Sequence, residues 1–381
     1  MIRPEFFYDT LKGMGIDFYT GVPDSLLKDI CAYITDHAEG KNNIIAANEG
    51  GAMGLAAGYH LATGRTPVVY MQNSGLGNTV NPLLSLTDKE VYNIPVLLVI
   101  GWRGEPGVHD EPQHVKQGKV TLTLLEAMGI RYEVMSDDEK EVEKQLAKAT
   151  EYMTGTKEAF ALVVRKGAFG KYKLQSSPSN PYTMEREEAI KAVAQAAGDN
   201  SVIVSTTGKI SRELFEHRTA TGEGHSRDFL TVGSMGHASQ IALGIALNRP
   251  ERNVYCFDGD GAVIMHMGSM GIVASMAPEN FYHIVFNNGA HDSVGGQPTI
   301  GFGVNLTKIA EGCGYKTIIS VGTRSELDNI LPTLTTLPAP VLLEIKVKKG
   351  SREDLGRPTT TPVENKEALM SFLEKNDLYL L

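Results

Sequence analysis

Residues Val254 to Gln297 read VYCFDGDGAVIMHMGSMGIVASMAPENFYHIVFNNGAHDSVGGQ. The stretch opens on a β-branched and aromatic run that ends in Gly259-Asp260-Gly261. It closes on a second apolar run, His283 to Phe286, leading into Asn287-Asn288-Gly289. Between the two, apolar residues recur at helical spacing over a length that suits the crossover of a βαβ unit. Such a unit is right-handed with parallel strands, so both loops leave at the same carboxyl edge of a sheet. That edge offers a carboxylate, Asp260, a side-chain amide, Asn288, and accessible glycine N–H groups. Hard oxygens suit Mg²⁺, the ion bridges phosphate oxygens, and a helix beginning near Ala262 would turn its positive end toward the anion. The chemistry expected is a divalent cation holding a diphosphate.

Either motif alone is an ordinary turn sequence. Paired at this spacing, GDG-A and NNG resemble the diphosphate-binding signature of the thiamine diphosphate (ThDP) enzymes. The resemblance implies ThDP and Mg²⁺ as cofactors, with Asp260, Asn288 and the backbone carbonyl of Ala290 as metal ligands and Asn287 as a weaker candidate. It also implies diphosphate contacts from Gly259, Gly261 and Ala262.

The rest of the chain bounds the setting. Its 381 residues allow two domains of ordinary size, and 42 % hydrophobic with 21 % charged residues is an ordinary globular composition. A net charge of −9 argues against nucleic-acid or anionic-membrane partners and leaves capture of an anionic substrate to local groups. Cys31, Cys256 and Cys313 are widely spaced in apolar contexts, without the spacing of a metal site, and read as reduced core thiols. The N-terminal residues are too polar for a signal peptide, and no apolar run approaches 18 residues, so a cytoplasmic protein is expected.

Strand-like runs alternate with helical stretches throughout, which means an α/β fold with mainly parallel sheets. Expected strands are 17–20, 43–46, 66–71, 96–100, 131–134 and 159–165 in the first half. In the second they are 201–205, 228–230, 253–257, 281–286, 317–319 and 341–346. Residues 171 to 182 lose periodicity and gain Ser, Pro and Asn, so 173–182 reads as a linker between domains 1–172 and 183–350. A tail, 351–381, carries a helix start at Thr361-Pro362 and an apolar stripe, Leu369, Phe372 and Leu373, suited to docking on the second domain. The halves also resemble each other. Gly51-Ala52-Met53-Gly54 and Gly233-Ser234-Met235-Gly236 each read as the opening of a helix, followed by a strand and a polar glycine loop. The order suggests two similar doubly wound domains made by duplication. ThDP enzymes are similar in this respect, which implies at least a homodimer with the cofactor between subunits.

Glu49 follows an apolar strand at a helix start. Such a carboxylate is ordinarily a dipole partner worth under about 1 kcal/mol. The resemblance implies more: Glu49 would hydrogen-bond the aminopyrimidine of ThDP and so activate the cofactor, a role that needs a low-dielectric setting. By the same resemblance Met235 would support the bent cofactor and the Gly233 carbonyl would accept from its amino group; Thr207, just after the strand 201–205, is a candidate contact to the diphosphate or the pyrimidine.

Taken together, GVPDS (21–25), NEGGAMGLAAGYHLATG (48–64), WRGEPGVHDEPQH (102–114), GDGA and NNGAHDSVGGQPT resemble the short ThDP decarboxylases that act on phosphonopyruvate and sulfopyruvate. That implies decarboxylation of a small 2-keto acid with an anionic tail, 3-phosphonopyruvate first and sulfopyruvate as the alternative. His114 and His109 are the candidate proton donors. Arg103 is the candidate clamp on the tail, because a planar fork matches a tetrahedral dianion, with Ser25, His237 and Ser293 beside it. In the pyruvate decarboxylases a His-His pair stands where this chain has Gln113-His114, so only His114 carries over. A carboligase is disfavoured by the lack of a middle domain, and a nicotinamide dehydrogenase by the lack of a G-x-G-x-x-G opening. A non-catalytic phosphate-binding module would have no use for Glu49.

Overall fold

The computed structural model describes residues 1–176 and 179–374. The remainder, 177–178 within the expected linker and 375–381 at the end of the expected tail, lies outside the described residues. The chain divides into two compact units. One comprises Met1–Ser177 with Ser293–Gln297, the other Pro178–Asp292 with Pro298–Leu381.

All twelve expected strands are present, with ends displaced by two residues or fewer. In the first unit they are β1 (Tyr19–Gly21), β2 (Asn43–Ile45), β3 (Val68–Gln72), β4 (Leu97–Gly101), β5 (Arg131–Val134) and β6 (Phe160–Val164). In the second they are β7 (Val202–Ser205), β8 (Asp228–Leu230), β9 (Val254–Gly259), β10 (Phe281–Asn287), β11 (Thr317–Val321) and β12 (Val341–Lys346). Each set forms one six-stranded sheet, in the order β2-β1-β3-β4-β6-β5 and β8-β7-β9-β10-β12-β11. Every pair is parallel. Counted from the first strand of each unit, the two orders are identical. The central strands, such as Leu97–Gly101 and Phe160–Val164, are buried throughout, and an apolar cluster lies on each face of each sheet. That two-sided burial is why these strands read as continuous apolar runs rather than alternating ones.

The strand that decides the fold, β9, pairs with β10 so that Gly259 lies opposite Phe286. Both following loops, at Asp260 and at Asn288, therefore leave the sheet side by side at its carboxyl edge. The crossover between them departs from expectation. It is not one helix from Ala262 but two, Asp260–Met265 and Gly268–Met276, because His266 at φ −132° and ψ 50° leaves the helical region.

The duplicated glycine motifs also differ. Gly51–Gly54 lies inside the helix Glu49–Thr63, which Asn48 caps by accepting the Gly51 N–H at 2.8 Å. Gly233–Gly236 instead forms the turn before the helix Ala238–Asn248. Ser234 (φ 53°) and Gly236 (φ 84°) sit in the left-handed region there, which a helix interior excludes. The two units match in topology, but Met53 and Met235 do not occupy equivalent places. In the second unit the helix Pro362–Glu374 docks on the edge strand β8, where Asn365 accepts from Leu230 N at 2.9 Å and donates to Asp228 O at 2.8 Å.

Candidate active site

In the first unit the expected residues lie in the loops after β1, β2 and β4, and residues after β3 pack against Glu49 and Arg103. Glu49 is the first residue of its helix and is only 5 % exposed. Its Oε2 accepts from Asn78 Nδ2 at 2.7 Å. Its other oxygen faces Gly75 so closely that a β-carbon there would lie 2.2 Å from it. The carboxylate is thus held between an amide and a bare backbone, with no lysine or arginine among its described hydrogen-bond or ion-pair partners.

Arg103 and Ser25 meet: Arg103 Nη1 donates to Ser25 Oγ at 2.8 Å. The rest of the guanidinium fork is engaged by Asp110, through Nε to Oδ2 at 2.7 Å and through Nη2 to Oδ1. Asp110 also accepts from the N–H groups of Gly104 and Glu111, at 2.8 Å each. This donor shell holds its carboxyl far below the usual carboxylate range even though partial burial pushes the other way. Arg103 is therefore not the free clamp expected from sequence; its charge is largely matched within its own loop. That loop is fastened from beneath by Asn73, which donates to Arg103 O at 2.8 Å and accepts from Arg103 N at 3.2 Å. It also lies against the helix Pro112–Ala127, where a β-carbon on Gly118 would fall 1.7 Å from Gly104 O. His114, in the first turn of that helix, is buried, whereas His109 is exposed on the loop.

Sequence reasoning passed over Asp24 in favour of its neighbour Ser25. Asp24 is fully buried. It accepts from Gln72 Nε2 at 2.5 Å and from Leu26 N at 3.0 Å. Gly101 clears the space for it, since a β-carbon there would lie 2.1 Å from Oδ2. Burial raises its pKa, against the lowering effect of these hydrogen bonds and of Arg103. Ser293 is exposed, and its segment goes with the first unit, where Gln297 Nε2 donates to Lys28 O at 3.3 Å. It is not part of the cluster around Asp260.

In the second unit Asp260 is 2 % exposed. Its Oδ1 accepts from Asn288 N at 3.4 Å and its Oδ2 from Thr299 Oγ1. Burial raises its pKa to about 6, and the Thr299 hydrogen bond only partly offsets this. Gly301 makes room beside it: a β-carbon there would lie 2.3 Å from Asp260 Oδ2 and 2.7 Å from Asn287 Oδ1. Asn288 donates from Nδ2 to Asp292 at 2.7 Å and accepts at Oδ1 from Ala290 N at 3.0 Å. Asn287 instead donates to Gly301 O at 2.9 Å and Glu344 at 2.8 Å, so its amide is spent on structure. Asp292 anchors the loop, accepting also from Arg186 Nη1 at 3.1 Å and Gly350 N at 3.0 Å.

Met235 and the Gly233 turn close over this edge. A β-carbon on Gly261 would lie 3.3 Å from His291 Cε1 and 3.4 Å from Met235 Cε, so both side chains cover the start of the Asp260 helix. Burial lowers the pKa of His291 to about 4, with Asp292 opposing. Thr207 Oγ1 donates to Val232 O at 2.8 Å, tying the β7 loop to the turn. His237 is exposed, its Nδ1 within 3.1 Å of Ser234 O and its ring 4.6 Å from that of His266.

The structure thus assembles Asp260, Asn288, Ala290, Gly261 and Met235 in one unit, and Glu49, Ser25, Arg103 and His114 on the carboxyl-end loops of the other. Asp24, Asn78, Thr299, His291 and Asp292 were not foreseen. Asp24 and the last three lie inside the motifs GVPDS and NNGAHDSVGGQPT, but nothing in the sequence says which polar residue of a loop turns inward.

A buried carboxylate with a raised pKa, a glycine cradle beside it and the side-chain amide of Asn288 on the adjoining loop form a donor set that fits a hard divalent cation.

Comparison with known proteins identifies the family. Residues 4–126 match the thiamine pyrophosphate enzyme N-terminal TPP binding domain, and residues 206–345 the C-terminal TPP binding domain. The chain is 32 % identical over 379 residues to a phosphonopyruvate decarboxylase of Streptomyces viridochromogenes, covering 95 % of this chain and 93 % of that protein. It is also 32 % identical over 371 residues to a phosphonopyruvate decarboxylase of Streptomyces hygroscopicus, covering 93 % and 90 %. Identity is 27 % over 395 residues to a sulfopyruvate decarboxylase of Methanosarcina acetivorans, covering 97 % and 96 %.

Proposed function

The chain belongs to the thiamine diphosphate-dependent decarboxylases, among relatives of the phosphonopyruvate and sulfopyruvate enzymes, and from that premise we propose that it converts 3-phosphonopyruvate to phosphonoacetaldehyde and CO₂ with Mg²⁺ as its metal. The observation that carries the reading is Glu49: a carboxylate at a helix start, buried, bonded to an amide and faced by a bare glycine. When bound, ThDP supplies the nucleophilic carbon and the electron sink for loss of CO₂. Glu49, buried at its helix start, would share a proton with the cofactor's pyrimidine ring in a setting that keeps that proton from water. Asp260, Asn288 Oδ1 and the Ala290 carbonyl would hold Mg²⁺, while Gly259, Gly261, Ala262 and Thr207 would border the diphosphate and Met235 and Gly233 the ring system.

Likeness over nearly the whole chain to two proteins named phosphonopyruvate decarboxylase supports the substrate. Ser25 and Arg103 Nη1 contact the anionic tail, with Asp110 holding the fork in place. His114, buried at a helix start, is a better placed proton donor than the exposed His109. His237 and Ser293 sit farther out, at exposed positions. The product aldehyde is an amine precursor, which suits a step toward phosphonates such as 2-aminoethylphosphonate in a cytoplasmic homodimer. The free thiols Cys31, Cys256 and Cys313 support a reducing compartment. No helix among the described residues is long and apolar enough to cross a membrane.

Glu49→Gln tests the reading. Without the shared proton, kcat should fall about 10²–10⁴-fold, while Mg²⁺-dependent ThDP affinity, measured calorimetrically, stays within a few-fold. Undiminished turnover in the variant would refute the mechanism.

A further inference from the structure

Behind the proposed Mg²⁺ edge lies a second cluster that decarboxylation does not use. Cys256 and Asp258 lie on one face of β9, two residues apart, and His283 is the cross-strand partner of Cys256 on β10. All three are buried, at 2 % exposure or less. One donor atom from each, the thiol sulfur, a carboxylate oxygen and an imidazole nitrogen, lies within 4.8 Å of the others. His283 Nε2 is 3.3 Å from Asp258 Oδ2, and Cys256 Sγ is 3.7 Å from the same oxygen. The other ring nitrogen, Nδ1, is engaged at 3.1 Å by the Tyr315 hydroxyl. Asp258 Oδ1 is buried and has no hydrogen-bond partner among the described residues.

We propose that Cys256, Asp258 and His283 form a second cation site, distinct from the Mg²⁺ edge, for a borderline-soft divalent ion of the zinc class. Tetrahedral coordination at bond lengths of about 2.0–2.3 Å places ligand atoms about 3.3–3.7 Å apart, which the Nε2–Oδ2 and Sγ–Oδ2 separations match. Tyr315 acts as an outer partner: by holding Nδ1 it orients the ring and presents Nε2 to the ion. The free Asp258 oxygen, or a water, completes the set. Sulfur and imidazole select against Mg²⁺, so the two sites take different metals. On binding, the Cys256 sulfur–hydrogen bond gives way to a sulfur–metal bond and the proton passes to solvent, with no change of oxidation state. Because the site is enclosed, the ion enters as the chain folds. Sequence spacing could not show it: two of the ligands come from β9 and the third from a neighbouring strand, joined only by strand pairing.

The test is elemental analysis of the protein purified without chelator in the presence of ThDP and Mg²⁺, together with protein refolded from denaturant in Co²⁺. The expected result is one zinc per chain in addition to magnesium, and a thiolate-to-cobalt charge-transfer band in the refolded sample. Cys256→Ser, with Cys256→Val as a second variant that keeps an apolar strand, should lose both signals yet retain Mg²⁺-dependent ThDP binding. Absence of zinc from the wild type, with no cobalt taken up on refolding, would show a hydrogen-bonded triad only and overturn the proposal. Cobalt bound without a thiolate band would overturn it equally. Neither result depends on which keto acid the enzyme uses.

Discussion

At Glu49 the decisive neighbour is the glycine facing its carboxylate. Gly75 has an ordinary backbone conformation, φ −78°, so alanine there is free of backbone strain and tests the contact alone. A β-carbon 2.2 Å from Glu49 Oε1 must push the carboxylate aside. Gly75→Ala should cost about 1–3 kcal/mol of stability by overpacking and lower kcat with little change in ThDP affinity, measured by thermal melting beside steady-state kinetics. Asp260 gives a pH signature. Its folded pKa, about 6, lies above the ordinary 3.8. In metal-free protein its contribution to stability is therefore full below that ordinary value and lost as pH rises through about 6. The cation needs the carboxylate, so stabilisation by Mg²⁺ and ThDP should grow as pH rises past about 6 and shrink below it. Melting temperatures with and without the cofactors, taken across that range, check this. Glu49, Asp260 and Asn288 were legible because each stands in a motif with a fixed offset from a strand end. Asp24 and Thr299 were not, since the direction of a loop side chain depends on contacts such as Gln72 and Gly301 that come from distant positions.

Among the elements, the loop 102–110 decides the tail-binding question. Arg103 is paired with Asp110 and bonded to Ser25. If Arg103 Nη1 contacts the phosphonate, Arg103→Ala raises KM for phosphonopyruvate about tenfold or more, the equivalent of about 1.4 kcal/mol, and leaves KM for pyruvate nearly unchanged. Equal effects on both substrates would make the residue a loop fastener only. A second test concerns the helix Pro362–Glu374, which is pinned to β8 by the two hydrogen bonds of Asn365. Asn365→Ala leaves a buried N–H and a buried carbonyl unpaired and should lower stability by about 1–3 kcal/mol without altering kcat, read by denaturant titration and kinetics. Strands were the easiest elements to read, because burial on both faces of a parallel sheet demands continuous apolar runs. The crossover helix was misread as unbroken, since VIMHMGSMG carries helical periodicity straight through the break at His266. The turn at Gly233 was misread for a related reason: a Gly-rich helix start and a Gly-rich turn have the same composition.

On the scale of the whole chain, two six-stranded sheets of one strand order account for the likeness first read between the halves. The likeness is topological. Glu49 opens a helix in one unit, and at the corresponding crossover of the other the helix begins at Ala238, after the Met235 turn. Each unit has thus kept the frame and changed what its loops present: a buried acid in the first, a buried carboxylate beside a side-chain amide in the second. That division was visible in the sequence as two motif sets on two α/β halves, whereas the substrate's tail was not, because the loop that carries Arg103 matches its own charge internally. The most direct test of the account is CO₂ release by the purified protein with ThDP and Mg²⁺, offered phosphonopyruvate, sulfopyruvate and pyruvate in parallel, with each cofactor withheld in turn. The account predicts the highest kcat/KM for phosphonopyruvate and loss of release when either cofactor is removed. Higher kcat/KM for sulfopyruvate, or release that persists without ThDP, would contradict it.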